Sequence, residues 1–271
     1  MTSPPSTLRL RPIAASHPDA RRYLLARRNM LPRHDSVIAI AGIWAHEQAL
    51  RLGASIESFL WCPGDSGADR LVTPTVEALV AAADSSYEIS ERTLARMHPG
   101  ASTPGLLCVV RVPTWDRGQA LNAPNGLVLV ADGIEYAGNL GSLLRTVDAS
   151  GADALLITNP VARLTHPTIF SASRGTVLTT PTLEFAAVGE ACLALRSAGF
   201  EIVVADPDAE VDYRDVRHDR RRTAIVVGAE GAGVCAEWRE AAARRVSISM
   251  RGRADSLNVA TAAAILLFSR A

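Results

Sequence analysis

Three segments in the second half of the chain place glycines beside polar or charged residues, and each follows an apolar run that reads as a β-strand. The first is Asp132-Gly133-Ile134-Glu135-Tyr136-Ala137-Gly138-Asn139-Leu140-Gly141-Ser142-Leu143-Leu144-Arg145. Gly138 and Gly141 permit close approach of backbone to a ligand. Arg145 lies about one helical turn beyond Gly141, where it either meets a ligand or pairs with Asp148 on the helix surface. The second is Val227-Gly228-Ala229-Glu230-Gly231-Ala232-Gly233. Its G-x-x-G-x-G order is not the G-x-G-x-x-G dinucleotide fingerprint, and the Glu230 carboxylate would repel a pyrophosphate. It suits a cationic or hydroxylated ligand, or is a plain turn. The third is Ile248-Ser249-Met250-Arg251-Gly252-Arg253-Ala254-Asp255-Ser256-Leu257-Asn258-Val259. Here a strand ends, a polar loop follows, and a helix starts near Ser256. Asp255 or Ser256 can serve as its N-cap, but a cap does not account for Asn258 beside an apolar helix face.

These segments need rigid elements to bring them together. Leu127–Ala131 is a continuous apolar run, as a strand buried on both faces requires. A helix over 140–150 closes at Gly151, and a strand follows at 154–158. Helices read over 167–174 and 188–198, and strands over 201–205 and 223–227. A short helix over 235–243, a strand over 246–250 and a helix over 257–269 complete the pattern. This alternation predicts a mostly parallel sheet with helices on both faces. All three segments then fall at the carboxyl edge of the sheet, where open α/β sheets bind their ligands.

Residues 1–16 are rich in Pro, Ser and Thr and read as a flexible N-terminus. Residues 17–112 read as a smaller α/β domain, with strands over 36–41, 58–62, 87–90 and 105–112 and helices over 44–52, 74–83 and 92–97. Residues 63–67, Pro-Gly-Asp-Ser-Gly, read as a loop, and residues 113–124 as a linker to a second domain over 125–271. Residues 17–31 form a basic amphipathic helix with Arg21, Arg22, Arg27 and Arg28 beside Tyr23, Leu24 and Leu25. It is either a solvated face or a phosphate-contacting surface.

The formal net charge is zero, so RNA or DNA binding must rest on a local patch rather than on the field of the whole chain. All 28 basic residues are arginine. That excludes a P-loop lysine, a Schiff-base lysine and a Ser-Lys dyad. No G-x-S-x-G elbow is present, which removes the commonest hydrolase reading. Cys62, Cys108, Cys192 and Cys235 form no C-x-x-C pair, and the six histidines form no ligand motif. Reduced, buried thiols and no metal are the expectation. No signal-like core and no run of 18 apolar residues occurs, so a cytoplasmic protein without a membrane segment is expected.

The three segments, in this order, resemble the SpoU/TrmH family of the SPOUT methyltransferase superfamily. Asn139, Gly141 and Arg145 match its N-x-G-x-x-x-R turn. Gly228, Glu230 and Gly233 match its G-x-E-x-x-G turn. Ile248, Met250, Ser256, Leu257 and Asn258 match its I-P-M…S-L-N turn, with Ser249 where the family usually has proline. Ala172-Ser173-Arg174-Gly175 is similar to an intervening family segment, and Ala137 replaces a frequent proline. The resemblance covers about 125–271. Residues 17–112 are more faintly similar to the L30e-like RNA-binding domain of the rRNA-directed members.

The resemblance implies a trefoil-knotted C-terminal domain, which general topology rules would not predict. It implies S-adenosylmethionine as cofactor, held at Ala205, Gly228, Ala229, Glu230, Ile248, Ser249, Met250, Leu257, Asn258, Val259, Ala260 and Thr261. It implies methylation of a ribose 2′-hydroxyl by in-line displacement, with Arg145, Asn139, Glu230, Ser256 and Asn258 as the catalytic set. A guanidinium holds its proton too tightly to be a literal base, so Arg145 would stabilise the developing alkoxide. RNA would be met by Arg21, Arg22, Arg27, Arg28, Arg145 and Arg174, and the protein would be a homodimer through the knotted domain. Ribosomal RNA, 23S first, is preferred over transfer RNA because of the N-terminal domain. The alternatives are a tRNA 2′-O-methyltransferase and an inactive RNA-binding relative.

Overall fold

The computed structural model describes residues 10–64, 66–101, 103–216 and 222–270, with no side chain described over 66–71. Of the flexible N-terminus expected over 1–16, residues 1–9 lie outside them, and the rest is corrected: Arg11–Pro12 pair with Tyr87–Glu88 and Ile13 N–H donates to the Glu88 carbonyl at 2.9 Å, so the smaller domain begins before residue 17. Two compact units result: Met1–Val112 with Thr165–Phe170, and Pro113–Leu164 with Ser171–Ala271.

The N-terminal unit runs β1 (Arg11–Pro12), α1 (Pro18–Arg27), β2 (Val37–Ala41), α2 (Ile43–Arg51), β3 (Ile56–Cys62), α3 (Ser66–Ala82), β4 (Ala83–Glu88), α4 (Glu91–Met97) and β5 (Gly105–Arg111). Its sheet has the order β1-β4-β3-β5-β2. Strand β5 is antiparallel to both β2 and β3, and the other pairs are parallel. Helix α1 buries Ala20, Tyr23 and Ala26 at helical spacing. It is shorter than the expected span of 17–31. The loop expected at 63–67 and the helix expected at 74–83 are corrected. Helix α3 starts at Ser66 and carries Pro74 inside. The buried Val72, Val76 and Leu79 continue one apolar stripe past the proline, and that packing outweighs the local helix-breaking signal.

His46 of α2 is fully buried. Its Nδ1 lies 2.7 Å from the Gly42 carbonyl oxygen, and its ring stands edge-on to Phe59 at 6.3 Å. Burial pushes its pKa down to about 4, against the opposing pull of the Gly42 hydrogen bond. An unfolded histidine titrates near 6.5, so between these values the unfolded chain binds a proton that the folded chain refuses. Stability from this group is therefore complete above about pH 6.5 and is lost as pH falls towards 4, with a limiting slope of about 1.4 kcal/mol per pH unit. Urea unfolding of the whole protein at several pH values should show this slope, and His46→Leu should flatten it. An unchanged slope in the variant would assign the effect to other groups.

The C-terminal unit runs α5 (Arg117–Leu121), β6 (Leu127–Asp132), α6 (Ala137–Ser150), β7 (Ala154–Thr158), the last two residues of α7 (Thr168–Ala172), β8 (Thr182–Glu184), α8 (Val188–Ser197), β9 (Glu201–Ala205), β10 (Thr223–Gly228), α9 (Ala236–Ala241), β11 (Arg244–Val246) and α10 (Val259–Phe268). Its sheet is parallel throughout, in the order β11-β9-β10-β6-β7-β8. Every residue of β6 is buried, as its continuous apolar run requires. The segment expected as a linker contains α5, whose Ala120 and Leu121 join the core of this unit. The strand expected over 246–250 is instead β11, ending at Val246. The helix expected to start at 257 begins at Val259, because Asn258 is its N-cap.

Candidate active site

The site is assembled at the carboxyl ends of the central strands. Gly228, the last residue of β10, is in register with Asp132, the last of β6. Beyond Gly228 the chain turns back sharply: Gly233 N–H donates to the Ala229 carbonyl at 2.8 Å. The turn is anchored at its far end by Asp132, a buried carboxylate that accepts Cys235 N–H at 2.9 Å. Asp132 also accepts Thr158 Oγ1 at 2.9 Å and Asn159 Nδ2 at 2.7 Å. Trp238 Nε1 donates to Thr158 Oγ1 at 3.1 Å. The glycine turn is thus fixed at both ends, and Glu230 stands at its tip.

Two helix starts meet Glu230. Asn139 lies in the first turn of α6 and donates through Nδ2 to Glu230 Oε1 at 3.0 Å. Asn258 caps α10, its Oδ1 accepting Ala260 N–H at 3.0 Å. Its Nδ2 donates to Glu230 Oε1 at 2.7 Å and to Asn139 Oδ1 at 3.0 Å. The carboxylate bonds both amides, and the amides bond each other. Asp255 and Ser256, the caps suggested by position, do not take that role.

Beside this triangle lies a cleft open to solvent. Its empty space, solvent side included, is about 740 Å³. Of the residues expected at a cofactor, Ala205, Gly228, Ala229, Glu230, Ile248, Met250, Leu257 and Val259 line it, and so does Ser256. Four others do not. Asn258 stands at the rim through Glu230. Ser249 turns away to Asp212. Ala260 gives its N–H to Asn258, and Thr261 is exposed on α10. The cleft also takes in Gly233 of the G-x-E-x-x-G turn, and Asp206, Val234 and Ala262, which the motifs did not single out. Asp206 is buried, accepts Asp208 N–H at 3.1 Å, and pairs with Arg245 at 2.9 Å and Arg239 at 3.6 Å. Its position directly after the apolar run of β9 was the available signal.

Arg145 is exposed on α6 and is not among the cleft residues. It has no ion pair among the described residues, so the expected alternative partner Asp148 is not used. Arg174 is exposed, with a left-handed φ of 56° ahead of Gly175 at 89°. In the N-terminal unit, Arg22 is held by Glu57 and, at 3.0 Å, by Asp35. Those carboxylates neutralise the charge that Arg22 was expected to offer a phosphate. Arg21, Arg27 and Arg28 have no ion pair among the described residues. The same residues hold no cluster of His, Cys, Asp or Glu able to bind a metal, and no helix long and apolar enough to cross a membrane.

A parallel α/β sheet with a small-molecule cleft at its carboxyl edge, bordered by a glycine turn and two helix starts, defines the structural class. The chain belongs to the SpoU rRNA Methylase family, whose profile matches residues 126–268. It is 31% identical over 169 residues to the 23S rRNA (adenosine(1067)-2′-O)-methyltransferase of Streptomyces laurentii, a match taking in 62% of each chain. Matches to relatives from Staphylococcus haemolyticus and Staphylococcus epidermidis take in 56% and 60% of those proteins, so the chain spans under two thirds of the length of these curated relatives. Among solved structures it is similar to an RNA 2′-O ribose methyltransferase, at 32% identity and TM-score 0.72, covering 96% of this chain and 97% of that one. An AdoMet-bound rRNA methyltransferase from Sinorhizobium meliloti shares the fold at TM-score 0.81 and 21% identity, over 96% and 97% of the two chains.

Proposed function

We propose that this chain is an S-adenosylmethionine-dependent RNA methyltransferase that modifies a ribose 2′-hydroxyl, in 23S ribosomal RNA before transfer RNA. The observation that carries the reading is the bonding of Asn139, Glu230 and Asn258, three residues far apart in sequence, at the rim of one cleft. The cleft suits the cofactor. Ala205, Ile248, Met250 and Leu257 give it apolar walls, and Glu230 supplies a negative charge beside which a sulfonium is favoured. When bound, the cofactor supplies an activated methyl group. The protein's part is to align and to stabilise charge. The triangle fixes the first turn of α6, and with it the helix that carries Arg145. Arg145, exposed and without an ion pair among the described residues, is placed to meet the ribose oxygen and stabilise its developing negative charge.

Further parts of the reading follow from the same family. The C-terminal unit is proposed to be knotted, and the N-terminal unit to be an L30e-like domain that selects RNA. Arg21, Arg27 and Arg28 are the phosphate contacts proposed for that domain, and Arg174 the one proposed beside the active site. A homodimer through the C-terminal unit is supported by α10, which is apolar except for Thr261 yet leaves Phe268 54% exposed. The site of action is proposed to be the cytoplasm, where such RNA is found.

The test is to incubate the protein with methyl-labelled S-adenosylmethionine and, separately, 23S rRNA, 16S rRNA and tRNA, and then to map nucleotides that resist alkaline cleavage. Label on one 23S ribose is expected. Label on tRNA alone would move the target, and no transfer with no cofactor binding would overturn the reading.

A further inference from the structure

The loop that brings Ile248 and Met250 to the cleft belongs to no regular element, since β11 ends at Val246 and α10 begins at Val259. It is held from outside by the segment 211–213. Ser247 N–H donates to the Val211 carbonyl at 2.8 Å, and Tyr213 N–H donates to the Ser247 carbonyl at 2.9 Å. Between these bonds, Asp212 Oδ2 accepts both the N–H of Ser249, at 3.3 Å, and its hydroxyl. The carboxylate is itself clamped by one arginine: Arg214 Nε donates to Oδ1 at 2.7 Å, Nη2 to Oδ2 at 2.9 Å, and the Arg214 N–H to Oδ1 at 3.0 Å. Side chains alternate along an extended segment. Ser249 faces Asp212, and its two neighbours line the cleft.

We propose that Asp212 is a positioning residue for the methyl donor: gripped by Arg214, it latches Ser249 and so fixes the cleft wall made by Ile248 and Met250. The proposal rests on the cofactor reading above. Arg214 and Ser249 hold the Asp212 carboxyl well below the ordinary carboxylate range, so the latch stays charged at neutral pH. A wall ordered before the ligand arrives loses less freedom on binding than a loose one, and binds more tightly for that reason.

Calorimetry with S-adenosylmethionine and steady-state kinetics on the full chain test this. Asp212→Ala should weaken cofactor binding about tenfold, the scale of lost hydrogen bonds to a charged group. The KM for cofactor should rise in parallel, with kcat at saturating cofactor and the KM for RNA little changed. Asp212→Asn, which keeps the shape and one acceptor, should restore part of the affinity. Ser249→Ala should weaken binding less than Asp212→Ala, and the double variant should bind no worse than Asp212→Ala alone. Unchanged affinity in Asp212→Ala, or additive losses in the double variant, would overturn the latch. If Asp212→Ala fails to fold, Asp212→Asn and Ser249→Ala carry the same comparison. An unmutated protein that binds no S-adenosylmethionine would overturn the cofactor reading, and the latch with it.

Discussion

A Gly228→Ala protein is expected to lose cofactor binding by at least a hundredfold and to unfold more easily, by several kcal/mol. A Cβ at position 228 would sit 2.2 Å from the carbonyl carbon and oxygen of Gly233 and 2.4 Å from the nitrogen of Val234. All three are backbone atoms, so no side chain can rotate out of the way. Relief requires the turn over 229–233 to open, and that breaks its closing hydrogen bond from Gly233 to Ala229. Glu230 then leaves Asn139 and Asn258, and the cleft loses a wall. Overpacking a side chain into a core costs about 1–3 kcal/mol where neighbours can adjust, and more is expected here. Gly231 supplies the control, since nothing lies within 4 Å of a Cβ built there. Calorimetry on Gly228→Ala and Gly231→Ala should show loss in the first and near-native affinity in the second. Tight cofactor binding by Gly228→Ala would show that the turn does not shape the site.

Arg145→Ala is expected to bind the cofactor as the unmodified protein does and to transfer methyl groups at least a hundredfold more slowly, the scale seen when a donor to a developing oxyanion is removed. The residue is exposed and has no ion pair among the described residues. Its truncation therefore orphans no buried partner and should leave the melting temperature unchanged. Arg145→Lys keeps the charge but not the planar fork, and should recover part of the rate. Single-turnover assays with saturating RNA separate the chemical step from binding. Near-native turnover in Arg145→Ala would remove its assigned role.

Four of the six strands and the three turns of the C-terminal unit were legible because their signals are local. Apolar runs mark β6, β7, β9 and β10, and glycines mark the turns. What was not legible depended on partners distant in sequence. Four arginines in one stretch announce a basic helix, but nothing near Arg22 points to Glu57, 35 residues away. Asp255, Ser256 and Asn258 are all plausible caps by type. The choice falls on Asn258, which alone also meets Glu230. Helix α5 was missed although Asp116 accepts Gln119 N–H at 2.8 Å, a capping pattern that was there to be read. Strand β8 has only Leu183 buried, too little alternation to register. Asp212 was invisible as a site residue because its role comes only from pairing with a loop 37 positions further along.

The amide–carboxylate triangle ties residues separated by 91, 28 and 119 positions. A growing polypeptide therefore has no such triangle until Asn258 has left the ribosome, by which time every strand of the second sheet has already been made. Competence to hold the methyl donor arrives only after the last strand of that sheet has been made. The donor stabilises only molecules whose C-terminal sheet is already assembled, so its addition should raise the melting temperature by an amount set by its free concentration relative to its dissociation constant.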